Sequence, residues 1–443
     1  MAGALTSSAP GERIEVGALL DSRPLQALQI GVMVVCGLVM LLDGYDIQVM
    51  ALAVPSVSEL WGAAPAKFSV ALTAALAGMG LGAGVIAPLG DRFGRRPVMA
   101  VALTVAGIAT LCTALSHSLT DFVIWRLITG LGIGGSIANA MALTLEYMPA
   151  RRRIWLSCVM YCNVALGAFS AGLLAPVLLR ASDWKGLFLF GGVLTLAVAA
   201  AVWFGAPESL KFLMARRRSD PQIARTLRRL APEVDPDSVD VASDEARKRN
   251  VLELLAASYR MRTLLLWGIY IFTSFIIYVL TSWLPTLLKQ AGWPRDEALV
   301  GAVLFQLGSV LGTVLLSGFV DKGRLRSTLM GGYGLCAAGL AGLLIIPSSF
   351  LTWLPLMLAV GMGIGCSQCI LVALAAAFYP LGIRATGVGW AVMIGRVGSI
   401  SAPMIGGMLI QHFTPVQTLG MLIFPALICV AASSLMRRQW MSV

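Results

Sequence analysis

The chain has 443 residues, of which 58% are hydrophobic and 12% charged, and its mean hydropathy is +0.83. This composition excludes a soluble enzyme, a disordered protein and a nucleic-acid binder. We therefore expect the net charge of +11 to come from basic residues that flank membrane spans, rather than to indicate a polyanionic partner.

The segment 1–25 contains Glu12, Glu15 and Asp21 and no apolar core, so we expect a cytoplasmic N-terminal segment without a cleavable signal peptide. Twelve apolar stretches follow, and each approaches the roughly 20 residues that a helix needs to cross a bilayer. The sequence predicts an all-α membrane protein with spans at 26–54, 68–90, 98–116, 120–147, 154–179, 185–206, 263–288, 298–320, 328–347, 351–379, 385–410 and 416–436.

Span one carries two acids, in Asp43-Gly44-Tyr45-Asp46. Their spacing places both on one helix face, and each carboxylate costs about 2.5–3.5 kcal/mol inside a membrane. Two adjacent acids cannot both ionise cheaply, so the pair is suited to carry a proton. The alternative is a structural ion pair with Arg126 or Arg396, and a mixture of the two roles also fits the pattern.

The segment between spans two and three reads Gly90-Asp91-Arg92-Phe93-Gly94-Arg95-Arg96-Pro97. An acid at a helix end can pair with bases in the loop, and such pairs break when the halves of a transporter rock. Asp91, Arg92, Arg95 and Arg96 are therefore predicted gating residues. The alternative is ordinary basic flanking of a membrane span.

Two arginines fall inside predicted spans, Arg126 in span four and Arg396 in span eleven. A buried guanidinium stays charged and requires an anion. Arg126 is predicted to pair with Asp43 or Asp46. Glu146 ends span four beside Arg151, Arg152 and Arg153, which predicts a charge network that acts as a gate on the cytoplasmic face, and direct carriage of a proton by Glu146 is the alternative. Arg396 has no acid in its own half and is the candidate for holding a substrate carboxylate. Its alternative is pairing with a span-one acid across the two halves.

Four further side chains are predicted to contact substrate. Tyr278 and Trp283 in span seven could sandwich a flat aromatic ligand, or they could serve only in packing. Asn163 in span five and Gln306 in span eight are polar residues in apolar stretches, which either contact substrate or hold helices together.

The polar segment 207–262 separates six spans from six, and divides the chain into an N-terminal half at 26–206 and a C-terminal half at 263–436, followed by a tail at 437–443. Placing both termini in the cytoplasm puts about 26 of the 33 basic residues on that side and about five opposite. A shift of 231 residues aligns 130–153 with 361–384, with about nine of 24 positions identical. Two parallel six-helix repeats predict a transporter whose site lies between the halves.

These motifs together resemble the aromatic acid:proton symporters of the major facilitator superfamily, over essentially the whole chain. The motifs are the span-one diacid, segment 90–97, Arg126 with the glycine run 130–135, the stretch 139–147, and Trp283-Leu284-Pro285-Thr286-Leu287-Leu288. The resemblance implies import of aromatic carboxylates such as hydroxybenzoates or protocatechuate into bacteria. It places key roles on Asp43, Asp46, Asp91, Arg384 and Arg396, with Arg384 a further gating residue.

We therefore predict a secondary active transporter of the bacterial inner membrane, which imports a small hydroxybenzoate-like carboxylate by proton symport through alternating access. We expect no enzymatic activity, a monomer, no metal or organic cofactor, and no nucleic-acid partner, with a proton as the coupling ion. No phosphate-binding G-x-x-x-x-G-K-[ST] motif is present, which excludes a pump driven by ATP. The alternatives are a proton-driven antiporter that exports drugs or metabolites and a non-transporting receptor.

Overall fold

The computed structural model describes residues 14–21, 24–149, 153–216, 220–230, 239–240, 251–256, 259–320, 325–347, 349–379 and 381–436. The C-terminal tail at 437–443 lies outside them. Long apolar helices dominate this part of the chain, because a backbone surrounded by lipid has to satisfy its own hydrogen bonds.

The N-terminal half contains six main helical segments, preceded by a short helix. They are α1 (Val16–Asp21), α2 (Ala27–Leu60), α3 (Ser69–Val85), α4 (Ala87–Phe93), α5 (Arg95–Ala114), α6 (Leu119–Tyr147) and α7 (Arg153–Gly205). The face at which α2 begins and α4, α6 and α7 end is called the loop face below. The face at which α2 ends is called the far face.

The central segment contributes two short helices, α8 (Leu210–Arg216) and α9 (Pro221–Leu230). Two-residue strands, β1 (Ile14–Glu15) and β2 (Val239–Asp240), pair in parallel. This small pairing is an addition to the all-α prediction. The apolar side of α9 packs on the N-terminal half through Ile223, Leu227 and Leu230.

The C-terminal half repeats the arrangement. Its helices are α10 (Arg260–Gln290), α11 (Arg295–Val320), α12 (Leu325–Ile345), α13 (Phe350–Phe378), α14 (Leu381–His412), α15 (Pro415–Met421) and α16 (Ile423–Ser434). The halves meet where α2 packs on α10, α3 on α14, and α7 on α11.

Among the described residues, eleven helical stretches are long and apolar enough to cross a membrane. One of them, Cys162–Gly205, is 44 residues long and is interrupted by non-helical backbone at Ser182 and Asp183. It therefore supplies two crossings, as the predicted spans 154–179 and 185–206 require. The chain is a multi-pass membrane protein with the twelve predicted crossings.

Glycines explain why the same helix pairs pack tightly in both halves. A Cβ on Gly134 of α6 would lie 2.1 Å from the carbonyl oxygen of Met79 on α3. A Cβ on Gly365 of α13 would lie 2.1 Å from Ser309 Oγ on α11. Small residues let helix backbones approach closely in lipid, where water does not drive helices together. The glycine runs aligned by the 231-residue shift thus make equivalent helix contacts.

Candidate functional site

A cavity lies in the middle of the bundle between the two halves. It encloses about 1190 Å³ of empty space, its mouth included, which is ample for a small aromatic acid. Helices α2, α6 and α7 form its N-terminal wall, and α10, α11, α13 and α14 form its C-terminal wall. A cavity at the seam of two repeats is where a transporter of this architecture holds its substrate.

The two walls differ in chemistry. Asp43 is the one ionisable side chain among the described residues of the N-terminal wall, which is otherwise built from apolar residues and glycine. The C-terminal wall carries most of the polar side chains: Tyr270, Ser274, Tyr278, Thr281, Gln306, Ser309, Thr313, Gln368, Arg396 and Ser399. An anionic ligand therefore meets its hydrogen-bond donors on the C-terminal wall.

Asp46 is paired with Arg126 behind the N-terminal wall. The Arg126 Nη1 atom lies 2.8 Å from Asp46 Oδ1, and the Arg126 side chain is 0% exposed. Its Nη2 donates to Thr129 Oγ1 at 3.0 Å, and its guanidinium lies 5.0 Å from the centre of the Phe188 ring. The sequence left Asp43 and Asp46 as possible partners of Arg126, and the structure shows that Arg126 pairs with Asp46.

Asp43 has a different environment although it lies one turn away on the same helix. Its side chain lines the cavity, and its Oδ1 atom has no hydrogen-bond partner among the described residues. It lies within electrostatic range of both Arg396 and Asp46. Asp43 is therefore the span-one acid that faces the cavity. Among the described residues, no cation donates a hydrogen bond to its Oδ1 atom.

Three of the predicted substrate contacts line the cavity, namely Arg396, Tyr278 and Gln306. Gln306 Nε2 also donates to Gln48 Oε1 at 2.9 Å, a bond between the two halves. Tyr278 lies four residues after Ser274 and three before Thr281, a spacing that puts the three on one face of α10. That face forms part of the C-terminal wall.

The structure does not bring Trp283 or Asn163 to the cavity, so we correct these two predictions. Trp283 is fully buried among apolar residues, and its Nε1 donates to the Pro403 carbonyl at 3.0 Å. Asn163 Nδ2 donates to the Val159 carbonyl at 2.9 Å, and its amide lies against Gly37 of α2. The Trp283 bond links α10 to α14, whereas the Asn163 bond stays within α7.

The predicted gating acid and one of the predicted gating bases meet at the loop face. Arg95 Nη2 lies 3.0 Å from Asp91 Oδ1 and 2.8 Å from Glu146 Oε1. Glu146 therefore belongs to the loop-face network, in which the Ser209 hydroxyl donates to its other carboxylate oxygen at 2.5 Å. It lies on the side of the membrane where the sequence predicts its gate network.

Arg92 and Arg96 contact aromatic rings at the same face. The Arg92 guanidinium lies 5.2 Å from the centre of the Phe93 ring, and that of Arg96 lies 5.8 Å from the Trp203 ring. These contacts place both cations beside apolar surface near the ends of the spans. The Arg384 side chain is outside the described part of the chain.

Glu208 is a loop-face residue that the sequence reasoning missed. Its Oε1 accepts hydrogen bonds from the backbone amides of Arg95 and Ser209, both at 2.8 Å, and of Arg96 at 3.3 Å. Burial raises the pKa of the Glu208 carboxyl, and the hydrogen bonds from these amides act in the opposite direction. Glu208 thus caps the start of α5, and the available signal was an acid in Pro207-Glu208-Ser209 directly after span six.

Ion pairs join the two halves at the far face. Glu59 at the end of α2 pairs with Lys289 of α10, and Arg180 pairs with Asp296 at 3.1 Å. Arg295 Nη2 donates to Ser56 Oγ at 2.6 Å and lies 3.5 Å from Asp183. These contacts close the seam at the far face, although exposed pairs of this kind contribute little energy individually.

Comparison with known proteins agrees with this geometry. The profile of the Major Facilitator Superfamily matches residues 36–403 and 302–439. A solved structure of the xylose transporter from Escherichia coli in an inward open conformation shares the fold. Its TM-score is 0.75 and its identity 19%, with coverage of 92% of this chain and 96% of that one.

Curated relatives resemble the chain along nearly its full length. The 4-hydroxybenzoate transporter of Acinetobacter baylyi is 35% identical over 93% of this chain and 92% of its own length. The gallate transporter of Pseudomonas putida is 32% identical over 90% and 89%. These relatives are transporters and not enzymes. The chain belongs to the Major Facilitator Superfamily and, within it, to the family of aromatic acid transporters.

Proposed function

We propose that the protein imports a small aromatic carboxylate together with a proton by alternating access. The observation that carries the proposal is the division between the walls of the cavity. Asp43 faces Arg396 across the space, whereas Asp46 is already paired with Arg126. The relatives named for 4-hydroxybenzoate and gallate transport support an aromatic carboxylate as the substrate class.

The coupling follows from competition for Arg396. While Asp43 is ionised, its negative charge attracts Arg396 and repels a second anion. When a proton neutralises Asp43, this competing charge is removed and Arg396 can bind the substrate carboxylate, which a planar guanidinium holds through two hydrogen bonds. The loaded cavity then contains a protonated acid and a compensated carboxylate. Moving this neutral set past the seam avoids the cost of carrying net charge through a low-dielectric region.

The ring of the substrate fits beside the apolar N-terminal wall and the Tyr278 side chain. Access from the far face requires the contacts of Glu59, Arg180 and Arg295 to break, whereas access from the loop face leaves them intact. We assign the loop face to the cytoplasm of a bacterial inner membrane because the basic residues concentrate there. One proton per monoanion makes transport electroneutral and driven by the pH gradient alone.

The test is uptake of labelled 4-hydroxybenzoate into liposomes that contain the purified protein. With acid outside and neutral buffer inside, we expect accumulation above the equilibrium level, and we expect a protonophore to abolish it. An aliphatic acid of equal charge and an uncharged phenol are the controls, and neither should accumulate. Uptake indifferent to the pH gradient would contradict the symport. Accumulation only with the gradient reversed would indicate the exporting antiporter.

A further inference from the structure

The amide of Gln368 is an unexplained polar group in the wall of the cavity. Gln368 lies on α13 and lines the cavity, and its Oε1 atom is buried without a hydrogen-bond partner among the described residues. The other amide of the same wall, Gln306, has a partner in Gln48. A buried carbonyl left without a donor costs about 1–3 kcal/mol, so this position calls for a donor that the described part of the chain does not supply.

The internal repeat shows that the helix register directs this position towards the cavity. In the N-terminal half, Ser136 Oγ donates to the Gly132 carbonyl at 2.7 Å, and in the C-terminal half Ser367 Oγ donates to the Gly363 carbonyl at 2.8 Å. The two helices are therefore in equivalent register at a shift of 231 residues. The next residue along lines the cavity in both halves.

The halves differ in what they place there. The N-terminal half has Ile137 and the C-terminal half has Gln368. Isoleucine offers the ligand only apolar surface, whereas glutamine offers a hydrogen-bond acceptor. The amide thus stands on the wall that also holds Arg396, at a position whose counterpart is apolar.

The chemistry of the missing donor identifies the part of the ligand that meets Gln368. A carboxylate presents only acceptors, and Arg396 is its counterpart, so a second contact that accepts a hydrogen bond requires a donor elsewhere on the ligand. A phenolic hydroxyl is such a donor, and it stays protonated at neutral pH. We propose that Gln368 Oε1 accepts a hydrogen bond from a ring hydroxyl and so selects hydroxylated aromatic acids. This inference rests on the proposed function.

An acceptor of this kind discriminates strongly against two types of ligand. A site built to bind a hydroxyl rejects the ligand that lacks it, because the buried protein group is then left unpaired. The same acceptor rejects a methyl ether, which fills the same space but cannot donate. The protein should therefore distinguish 4-hydroxybenzoate or 3-hydroxybenzoate from both benzoate and the matching methoxybenzoate.

The experiment measures binding of these probes to the purified full chain by tryptophan fluorescence. For the wild type we expect at least one hydroxybenzoate isomer to bind tenfold or more tightly than benzoate and its own methoxy analogue. Gln368→Met should reduce that preference to less than threefold and leave the benzoate Kd within about twofold. The matched control is Gln306→Met, which should shift all ligands alike and keep the preference.

The outcomes separate the two proposals. If Gln368→Met keeps the wild-type preference, or if the wild type shows none, the assignment of Gln368 is overturned while the proposed function stands. The methoxy comparison in the wild type keeps the assignment open to refutation even if the variant does not fold, because the absence of any preference for the hydroxyl would overturn it. If no aromatic acid binds the wild type, the proposed function itself fails.

Discussion

The N-terminal and C-terminal walls of the cavity come from repeated halves of one chain but contribute different chemistry. The N-terminal wall is apolar except for Asp43, and the C-terminal wall carries Arg396 and most of the hydrogen-bonding groups. The equivalent positions Ile137 and Gln368 show the difference at a single site. The two halves thus share their helix packing, whereas the side chains that face the cavity differ between them.

The two arginines inside the spans also have different surroundings in the two halves. Arg126 is enclosed, and its partners are Asp46 and threonine hydroxyls of the N-terminal half. Arg396 is half-buried and lines the cavity. Arginine is therefore enclosed by protein partners in one half and lines the cavity in the other.

The largest expected effect is on stability, from Arg126→Met. Removing one member of a buried ion pair leaves Asp46 as an uncompensated charge and should cost about 3–5 kcal/mol. Thermal unfolding in detergent should show a clear loss for this variant, and Arg126→Met combined with Asp46→Asn should recover part of it. An unfolding temperature equal to that of Arg396→Met would remove the distinction between the two arginines.

Arg396→Met should act on binding rather than on stability. Losing a charge-assisted hydrogen bond to the substrate carboxylate should cost about 1.5–3 kcal/mol, or roughly 10- to 150-fold in Kd. The measurement is a titration with 4-hydroxybenzoate, with thermal unfolding as the check on folding. Unchanged affinity would assign the anion to another group and contradict the proposed role of the C-terminal wall.

Packing behind the N-terminal wall can be tested by adding a single methyl group. A Cβ on Gly44 would lie 1.7 Å from the Val164 carbonyl oxygen of α7, so Gly44→Ala must separate these helices and should cost about 1–3 kcal/mol. Gly31→Ala, on the same helix but with open space around it, is the matched control. Equal unfolding temperatures for the two variants would show that α2 and α7 are not in close contact.

The smallest expected effect is at the loop face, from Glu208→Gln. The amide keeps an acceptor for the α5 backbone, so stability at neutral pH should change by about 1 kcal/mol or less. Because burial raises the Glu208 pKa, its contribution is present at low pH and is lost as pH rises through that pKa. Glu208→Gln should remove this component of the pH dependence, and the exposed Glu253→Gln should not. Identical pH profiles for Glu208→Gln and the wild type would contradict the assignment.

Much of the fold could be predicted because the apolar lengths and the interruption near 180–184 are properties of the local sequence. The pairing of Arg126 with a span-one acid was also accessible from charge alone. The choice of Asp46 was not, since i and i+3 share a helix face and only the packing of α6 against α2 decides between them. The contacts of Glu208 with the start of α5 link residues more than 110 positions apart and leave no periodic signal.

Trp283 shows where helix geometry could have improved the prediction. It lies five residues after Tyr278, which places the two side chains about 140° apart around α10 at 3.6 residues per turn. They could not both face one cavity. Tyr278 shares its face with Ser274 and Thr281, and Trp283 points to the packed side, where the Pro403 carbonyl accepts its N–H.

The most direct test of the division between proton and anion is transport by Asp43→Asn in liposomes. The asparagine mimics a protonated acid, so Arg396 stays available to the substrate. We expect exchange of labelled for unlabelled 4-hydroxybenzoate to continue while accumulation driven by an acid exterior disappears. Accumulation at the wild-type level in Asp43→Asn would show that the proton travels on another group.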